Sequence, residues 1–365
     1  MRPLAIVSKT LLYSCAAACL FNLSIQGSPV FSITSLAPLG SGAAMPTAFS
    51  SSGAVGFTTT PDGGIQPATF SGGVVTTLGG VGEASGINAS GTIIGTTYAA
   101  GQPNVTEWSH GTATNLGING FGLAINDAGQ IAGAHQLTNG QQHAFVMTNG
   151  VLTDLGAFSG GWSAAMGINA SGQVAGYSLL SNQFSHAFLW NGSNMRDLGT
   201  LGGANSYAQS LNNTGEVVGT AQTSHGSLNA VSWTSTGILD LGTLGGSLSG
   251  AYGVNDSGEI VGYSFTSGNS DVHGFLDVKG VMLDLNALLP PLSGWDITEA
   301  FAIDNSGDIL AIGDHAGQAY AVELEPSVVS AVVPVATPEP ATLLIVGLGL
   351  VLVARLGRVR RRAEV

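Results

Sequence analysis

The chain has 365 residues, a formal net charge of −13, 55 glycines and only 8% charged residues. Outside its two ends, Arg196 and Lys279 are the basic residues against 20 acidic ones, a net charge of about −18. This balance argues against nucleic acid and anionic lipid as partners and leaves few groups for anionic substrates. Glycine at this level would predict disorder if it were scattered, but here it recurs between short apolar runs.

Residues 1–27 predict a secretory signal peptide whose apolar part is a helix. Arg2 and Lys9 give a basic start, and an apolar segment follows over residues 10–25. A buried N-terminal helix is one alternative, and a lipoprotein cleavage site ending at Cys19 is another. The two cysteines of the chain, Cys15 and Cys19, both lie in this segment, so the exported protein would have neither a disulfide nor a cysteine metal site.

Residues 28–326 consist of seven copies of one repeat. Its most regular element, named here the marker turn, is an apolar residue, Asn, two variable residues and Gly. The marker turns of repeats 1 to 7 are 48–53 (eroded), 87–91, 125–129, 168–172, 211–215, 254–258 and 303–307, the last with Asp304 in place of Asn. Asn and Gly tolerate the left-handed backbone that tight hairpin turns require, so each marker turn predicts a hairpin.

Two further elements complete the repeat and predict four strands in each copy. One is an aromatic run, represented by His143-Ala-Phe145, His186-Ala-Phe188, Ala230–Trp233 and His273-Gly-Phe275. The other ends in Asp-Leu-Gly or a relative, with Asp154, Asp197, Asp240 and Asp284 at equivalent places. Short runs rich in Val, Ile, Phe and Trp between Gly, Asn and Ser are typical of strands. Helical periodicity is confined to the two ends, so the repeat region is predicted to be all-β.

Four strands per repeat and a period near 40 residues are typical of β-propeller blades. The last repeat stops after residues 318–324 and lacks its Asp-Leu-Gly strand, while residues 30–37 resemble the missing copy. We therefore expect a seven-bladed β-propeller in which residues 30–37 pair with residues 318–325 and close the ring. The alternative is an open solenoid, which would need capping repeats at both ends.

The tail predicts a linker over 327–337 and a sorting signal over 338–362. The signal begins with Pro338, Glu339 and Pro340 and continues with an apolar run at 341–354, which is short for the ~20 residues of a stable span. It ends in five arginines that would stay cytoplasmic: Arg355, Arg358, Arg360, Arg361 and Arg362. This order resembles the PEP-CTERM sorting signal of Gram-negative bacteria. The resemblance implies export, transient anchoring in the inner membrane by a short transmembrane helix, and cleavage by an exosortase-type enzyme. The implied destination is the cell surface or an extracellular polysaccharide (biofilm) matrix.

The repeats resemble the HAF repeat of bacterial extracellular proteins, on the His-Ala-Phe runs at 143–145 and 186–188. The match covers residues 142–262 well and the flanking repeats loosely. Asn229-Ala-Val231 lacks both His and Phe, and His273-Gly-Phe275 has Gly for Ala. The family carries no activity that transfers to named residues.

Candidate chemistry has a structural alternative at every position. His143, His186 and His273 could surround a metal, but each also lies where an imidazole caps a turn. Acidic marker turns resemble calcium loops, yet they are shorter than the 12-residue loop and also fit Asx turns. An Asp repeated in each copy favours bonding to a backbone amide. The phosphate-binding loop and the serine nucleophile elbow are both absent from the sequence. We expect neither a metal, nor a cofactor, nor a catalytic residue.

Five tryptophans are candidates for stacking on sugars: Trp108, Trp162, Trp190, Trp233 and Trp295. Trp190 and Trp233 lie in the repeated aromatic strand and are expected in the core. We predict a non-catalytic surface or matrix protein whose propeller binds a glycan or a protein partner. The alternative is a secreted, glycan-acting hydrolase that uses carboxylates such as Asp296 and Glu299 in the one irregular insert.

Overall fold

A computed structural model describes residues 30–39, 44–60 and 62–327. The predicted signal peptide and the predicted sorting signal, with their helices, lie outside the described residues. Within these ranges the chain is all-β, as predicted, with two short 3-10 helices at Ser267–Asn269 and Leu285–Leu288. None of the helices in the described part is long and apolar enough to cross a membrane.

Four sheets have four antiparallel strands that come from a single repeat. Repeat 1 gives β2 (Met45–Ser50), β3 (Gly53–Thr59), β4 (Ile65–Ser71) and β5 (Val74–Thr77). Repeat 4 gives β13 (Ser163–Ile168), β14 (Val174–Leu179), β15 (Ser185–Trp190) and β16 (Met195–Asp197). Repeat 5 gives β17 (Gly202–Leu211), β18 (Val217–Thr223), β19 (Leu228–Thr234) and β20 (Gly237–Gly242). Repeat 6 gives β21 (Gly245–Val254), β22 (Glu259–Thr266), β23 (Val272–Val278) and β24 (Val281–Asp284).

A fifth four-stranded sheet joins the two ends of the repeat region. Its order is β1 (Val30–Pro38), β27 (Gln318–Ser327), β26 (Ile309–His315) and β25 (Trp295–Ile303). The remaining sheet has seven strands from repeats 2 and 3. These are β6 (Gly82–Ile87), β7 (Ile93–Ala99), β8 (Gln102–Ser109), β9 (Thr112–Ile125), β10 (Ile131–Gln136), β11 (Gln142–Thr148) and β12 (Val151–Gly156).

The prediction of seven separate four-stranded blades was therefore wrong, because residues 30–327 form five such sheets and one of seven strands. The cause is β9, a continuous strand of 14 residues. Its first part pairs with β8 up to Asn119, and its second part pairs with β10 from Gly120 onward. Ile118 and Asn119 stay extended there, whereas the same junction between repeats 1 and 2 is broken by Gly79 and Gly80, both in the left-handed region (φ 82° and 84°).

The predicted closure by the N-terminal strand is confirmed. β1 runs antiparallel to β27 from Val30↔Ser327 to Pro38↔Tyr320, two residues beyond the expected partner range. Phe31, 2% exposed, packs with repeat 7, and Leu36 packs with repeat 1. A strand that belongs to one end of the chain therefore completes the sheet at the other end and fills the interface beyond it. The arrangement is propeller-like rather than an open solenoid.

The core lies between neighbouring sheets. Phe145, Phe188 and Phe275 are fully buried, and each packs against apolar residues of the preceding repeat. Burying a side chain of this size stabilises a fold by about 1.5–3 kcal/mol. The phenylalanine of the aromatic run is thus the residue that joins one repeat to the one before it.

Candidate functional site

The marker turns meet at one end of a central channel, named here the turn face. Their Asn side chains are almost fully buried, and each amide Nδ2 donates to a main-chain oxygen of the next repeat. These bonds run from Asn88 to Asn126 (3.3 Å), Asn126 to Asn169 (2.9 Å), Asn169 to Asn212 (3.0 Å), Asn212 to Asn255 (2.9 Å) and Asn255 to Asp304 (3.1 Å). Each Asn Oδ1 accepts a main-chain N–H of its own turn, as Asn169 does from Gln173 at 2.9 Å. The Asx-turn interpretation is confirmed, and the Asn also joins adjacent repeats.

A second set of bonds surrounds a cavity of about 480 Å³ on the turn face, lined by residues of all seven marker turns. The Asp256 carboxylate accepts the Asn213 main-chain N–H at 2.8 Å and the side-chain amides of Asn213 and Asn305. Burial alone would raise the pKa of Asp256, but these bonds outweigh it and lower the pKa. The acidic turns are therefore engaged in intramolecular hydrogen bonds. In the described ranges, no group of three or more His, Cys, Asp or Glu is placed to hold a metal.

The repeated histidines each bind the Asp of the Asp-Leu-Gly element in their own repeat. The Nδ1–Oδ distances are 3.0 Å for His143–Asp154, 2.8 Å for His186–Asp197 and 2.8 Å for His273–Asp284. The same carboxylates accept a main-chain N–H two residues later, as Asp197 does from Gly199 at 2.8 Å. In repeat 5, where Asn229 replaces the His, its Nδ2 donates to Asp240 at 3.0 Å. The structural interpretation of both residues is thus supported.

A buried serine that the sequence analysis missed joins these strands to the next repeat. Ser163, Ser206 and Ser249 each accept a main-chain N–H from the aromatic run of the preceding repeat, at 2.7–2.9 Å. Ser163 and Ser249 also donate to the Gly carbonyl of Asp-Leu-Gly at 2.6 Å. All three are fully buried and lie six residues before the marker Asn. That constant spacing was the available signal.

The channel is lined by the first strand of every repeat, and each of these strands carries a β-bulge three residues before the marker Asn or its equivalent. The bulged residues are Thr47, Ser85, Leu123, Met166, Gln209, Tyr252 and Phe301. All seven line a cavity of about 250 Å³. Bulges redirect side chains and are enriched beside functional sites. In contrast to the repeated core positions, the residue type here changes from one repeat to the next.

The bulge depends on a glycine in the second strand of the repeat. A Cβ added at Gly176 would lie 2.0 Å from the Ala164 carbonyl oxygen, and one at Gly219 would lie 2.0 Å from that of Tyr207. Real Cβ atoms essentially never approach so closely, so any larger residue would move the first strand. The Val-Val-Gly run after the marker turn is thus required by the channel wall.

Repeats 6 and 7 give the channel an aromatic wall. Tyr252 and Phe301 are stacked, with ring centroids 5.8 Å apart and planes 9° apart, and Tyr263 lies 5.4 Å from Tyr252. The charge of Glu299 raises the pKa of both tyrosines, in addition to the larger effect of burial. Burial also raises the pKa of Glu299 itself. Among the described residues, the Glu299 carboxyl has no hydrogen-bond partner.

Aromatic residues also gather at the opposite end of the channel, named here the loop face. The five tryptophans separate into two groups. Trp108 and Trp233 are 3% and 2% exposed and belong to the core. Trp190 is partly buried and packs against the core cluster between repeats 3 and 4. Trp162 and Trp295 are half-buried at the loop-face ends of β13 and β25. The prediction for Trp233 is therefore confirmed, while Trp162 and Trp295 stay candidates for stacking.

Each loop-face tryptophan has aromatic neighbours. Trp162 lies 5.6 Å from Tyr177, and Tyr177 lies 5.3 Å from Tyr207 in an edge-to-face contact. All three rings are half-buried, so part of each is accessible. Trp295 lies 4.9 Å from His315 and 5.3 Å from Tyr320. These clusters differ from the repeated phenylalanines, which are fully buried.

The two carboxylates of the hydrolase alternative lie on one strand but in different surroundings. Glu299 is half-buried with a raised pKa. The Asp296 side chain is 58% exposed, and its Oδ1 lies 3.8 Å from His273 Nε2. A bulge at Thr298 separates them in the pairing with β26. A carboxyl with a raised pKa that works together with a second carboxyl is a pattern that glycosidases use.

Comparison with known proteins identifies the C-terminal segment. Residues 336–362 match the PEP-CTERM protein-sorting motif. The chain is an exported protein with a propeller-like fold. The motif is a substrate signal for exosortase processing, so the predicted sorting residues lie in a recognised signal. A search of curated proteins found no match for this chain.

Among the similar solved structures, one has a TM-score above 0.5, and it supports the fold alone. A puromycin-hydrolysing peptidase from Mycobacterium tuberculosis is 12% identical with a TM-score of 0.53, over 81% of this chain and 52% of that chain. The chain thus spans about half the length of that peptidase. TolB from Acinetobacter baumannii is 12% identical with a TM-score of 0.41, over 75% and 63% of the two chains. A mutant of AofleA from Arthrobotrys oligospora is 16% identical with a TM-score of 0.39, over 79% and 84%.

Proposed function

We propose that this exported protein is a non-catalytic propeller of HAF-type repeats that binds a neutral glycan at the cell surface or in the extracellular matrix. The observation that carries the proposal is the half-buried cluster of Trp162, Tyr177 and Tyr207 on the loop face. Aromatic rings held by their neighbours, with one face partly accessible, supply large contact area at low entropic cost. The loop between β14 and β15 on this face also exposes Ser181 and Asn182, whose side chains can hydrogen-bond to sugar hydroxyl groups.

The charge distribution favours a neutral ligand on this face. Arg196 lines a cavity of about 320 Å³ with marker-turn residues such as Thr214, and Lys279 lies in the turn between β23 and β24. Both residues lie at the turn-face end of their sheets, so neither cation is on the loop face. An anionic glycan would find no positive partner there and would meet the net negative charge of the repeats.

A glycan array probed with the exported protein tests the binding proposal, with heat-unfolded protein as the control for non-specific adhesion. Binding of neutral glycans that disappears on unfolding is expected. Loss of array binding in Trp162→Ala, with the melting temperature kept, would place the site on the loop face. A folded protein that binds none of the glycans would refute the proposal.

Processing at the sorting signal is tested separately, by mass spectrometry of the protein recovered outside the cell. Cleavage near Pro338 would remove the arginines, so the mature chain should end before Arg355. Recovery of a chain that still carries Arg358 to Val365 would show that the signal is not processed.

The hydrolase alternative is favoured by the contrast between Glu299 and Asp296 described above. A panel of neutral polysaccharides separates the two hypotheses, because binding requires no turnover. Release of reducing ends that is abolished by both Glu299→Gln and Asp296→Asn would establish an enzyme. We expect no turnover, because neither carboxylate lines the channel cavity of about 250 Å³.

A further inference from the structure

A cleft between the sheets of repeats 4 and 5 lies at the turn-face end and is separate from the loop-face cluster. It encloses the cavity of about 320 Å³ that Arg196 lines. The other side chains of the lining include Gln173 and Leu189 from repeat 4 and Thr214, Thr234 and Ser235 from repeat 5. Arg196 is the one arginine in the part of the chain that the structure describes. The cleft is therefore named here the arginine cleft.

The register of β16 directs the Arg196 side chain into this cleft. Arg196 pairs with Leu189 on β15, and side chains directly opposite each other in an antiparallel pair project to the same side of the sheet. Leu189 is 8% exposed and belongs to a core cluster that contains Val217 and Trp233 of repeat 5. Arg196 thus faces repeat 5. In repeat 5 the equivalent place on the outer strand is taken by Leu239, so a leucine replaces the guanidinium in the next cleft.

The Arg196 guanidinium is available to a ligand. Within the described ranges every ion pair joins a histidine to an aspartate, and Arg196 donates no hydrogen bond, although the repeats carry 20 acidic residues. A guanidinium has five N–H donors and no acceptor, and its planar fork pairs with a carboxylate through two parallel hydrogen bonds. The side chain is exposed, so a ligand can reach it.

The acid in the lining, Glu216, is engaged elsewhere. Its carboxylate accepts hydrogen bonds from Ser232 Oγ and Asn212 Nδ2. A Cβ added at Gly258 would lie 3.3 Å from Glu216 Oε2, so the carboxylate lies against the marker turn of repeat 6. Salt screens charges over about 8 Å at physiological ionic strength, so the distant acids act weakly on an anion bound at the guanidinium.

The uncharged groups of the arginine cleft suit hydroxyl groups. Gln173 Oε1 accepts from Asn169 Nδ2 at 2.8 Å, while Gln173 Nε2 donates to no group in the described part of the chain. In repeat 3, by contrast, Gln130 Nε2 donates to Thr148 at 3.0 Å. Threonine and serine hydroxyl groups of repeat 5 add further partners. None of the described residues that line the cleft is aromatic, so a ligand there is held by charge and hydrogen bonds instead of stacking.

We propose that the arginine cleft binds a small acidic sugar of the hexuronic acid type. Its carboxylate pairs with Arg196, and its hydroxyl groups bond to Gln173 and to the hydroxyl groups of repeat 5. Ligand pockets measure about 300–1,000 Å³, so a cavity of about 320 Å³ suits a single sugar unit. A neutral sugar would leave the guanidinium without its partner, and a simple carboxylate would leave the polar lining unused.

The repeats supply matched variants. Arg196→Leu introduces the residue that repeat 5 has at this place, Leu239. Arg196→Lys keeps the positive charge but removes the planar fork. Lys279→Gln removes the other basic residue of the repeats, which lies in the turn between β23 and β24, and so controls for the change in net charge.

Ligand-observed NMR with sodium glucuronate tests the proposal on the exported protein, with glucose and sodium acetate as comparison ligands at equal ionic strength. Saturable binding of glucuronate is expected, and glucose and acetate should each bind at least tenfold more weakly. Arg196→Leu should weaken glucuronate binding at least tenfold and Arg196→Lys several-fold, while Lys279→Gln should leave it unchanged. Melting temperatures show that the variants are folded. If Arg196→Leu does not fold, the comparison of Arg196→Lys with Lys279→Gln decides the question.

Three results would overturn the acidic-sugar site. They are no saturable binding of glucuronate, equal binding of glucuronate by the parent and by folded Arg196→Leu, and binding of acetate or glucose as tight as that of glucuronate. Trp162→Ala should leave glucuronate binding unchanged, because Trp162 lies on the loop face. Failure of the acidic-sugar site therefore leaves the neutral-glycan proposal standing.

Discussion

Replacing Asn169 by alanine tests whether the marker turns join the repeats to one another. Asn169 is 4% exposed, and its amide donates to the Asn212 main-chain oxygen at 3.0 Å. Its Oδ1 also accepts the Gln173 and Ser171 main-chain N–H groups, at 2.9 and 3.1 Å. Alanine would remove a bond between repeats and leave two N–H groups of the turn without their acceptor.

The magnitude follows from the number of groups left unpaired. A buried backbone group that loses its hydrogen-bond partner costs about 1–3 kcal/mol. The Asn212 carbonyl oxygen is not left unpaired, because it still accepts the Gly215 N–H at 3.2 Å. If water satisfies one of the two turn N–H groups, we expect Asn169→Ala to lower the free energy of unfolding by about 2–4 kcal/mol. A domain of this size loses about 2 °C of melting temperature per kcal/mol, so Asn169→Ala should melt about 4–8 °C below the parent.

The control is Asn191→Ala, which removes another turn asparagine whose bonds are all local. Asn191 Oδ1 accepts from Ser193 and Asn194, at 3.1–3.3 Å, and its side chain bonds to no other repeat. Its loss should cost at most about 1 kcal/mol. Thermal unfolding followed by circular dichroism measures both variants. Equal shifts for Asn169→Ala and Asn191→Ala would refute the argument that the marker Asn acts between repeats.

The remaining predictions concern the histidine, a buried acid and the ring closure. His186→Ala should lower the free energy of unfolding by about 1 kcal/mol because its bond to Asp197 is lost. His186→Asn should keep most of that stability, since Asn229 makes the corresponding bond in repeat 5. Urea unfolding compares the two variants, and identical midpoints would contradict this prediction. Asp277 is 1% exposed with Oδ2 unpaired within the described part, and burial raises its pKa above 3.8, so the folded state loses stability as pH rises through that raised pKa. At pH 7, Asp277→Asn should therefore raise the free energy of unfolding by about 1–2 kcal/mol relative to the parent. This stability difference should vanish below pH ~4. If the stability of both proteins depends on pH in the same way, the prediction is wrong. Deleting residues 28–38 removes β1 and should lower the melting temperature of the whole ring in one transition, whereas a truncated protein that melts like the parent would show that β1 does not seal it.

Much of the fold was predictable because the repeat places the same chemistry at constant spacing. The marker Asn, the aromatic run and Asp-Leu-Gly each predicted a strand or turn that the structure contains. The closing strand was predictable because the missing element of the last repeat occurs before the first. The continuous strand β9 was not predictable, because Gly79–Asn88 and Gly117–Asn126 have the same spacing. The chain turns at the first of these junctions but stays extended within β9 at the second.

The site was less predictable, because it depends on which side of a strand a residue takes. A bulge moves one residue out of the two-residue alternation of a strand. Tyr252 and Phe301 are such bulged residues and line the channel, so the apolar periodicity of the sequence does not predict their position. Glu299 was singled out in sequence only as a possible catalytic acid, while the two tyrosines whose pKa its charge raises come from the preceding repeat. Contacts between repeats, such as that of Asn169 with Asn212, require knowing how neighbouring sheets are placed.

The most direct test of the binding claim is a titration of the exported protein with the best neutral glycan from the array, compared with Trp162→Ala and Trp162→Phe. Isothermal calorimetry of the parent should give saturable binding. Trp162→Ala should bind about tenfold more weakly, equivalent to about 1.4 kcal/mol, and Trp162→Phe should retain most of the affinity because a ring remains. If both variants bind the glycan as tightly as the parent while remaining folded, the loop-face cluster is not the glycan site and the central claim is contradicted.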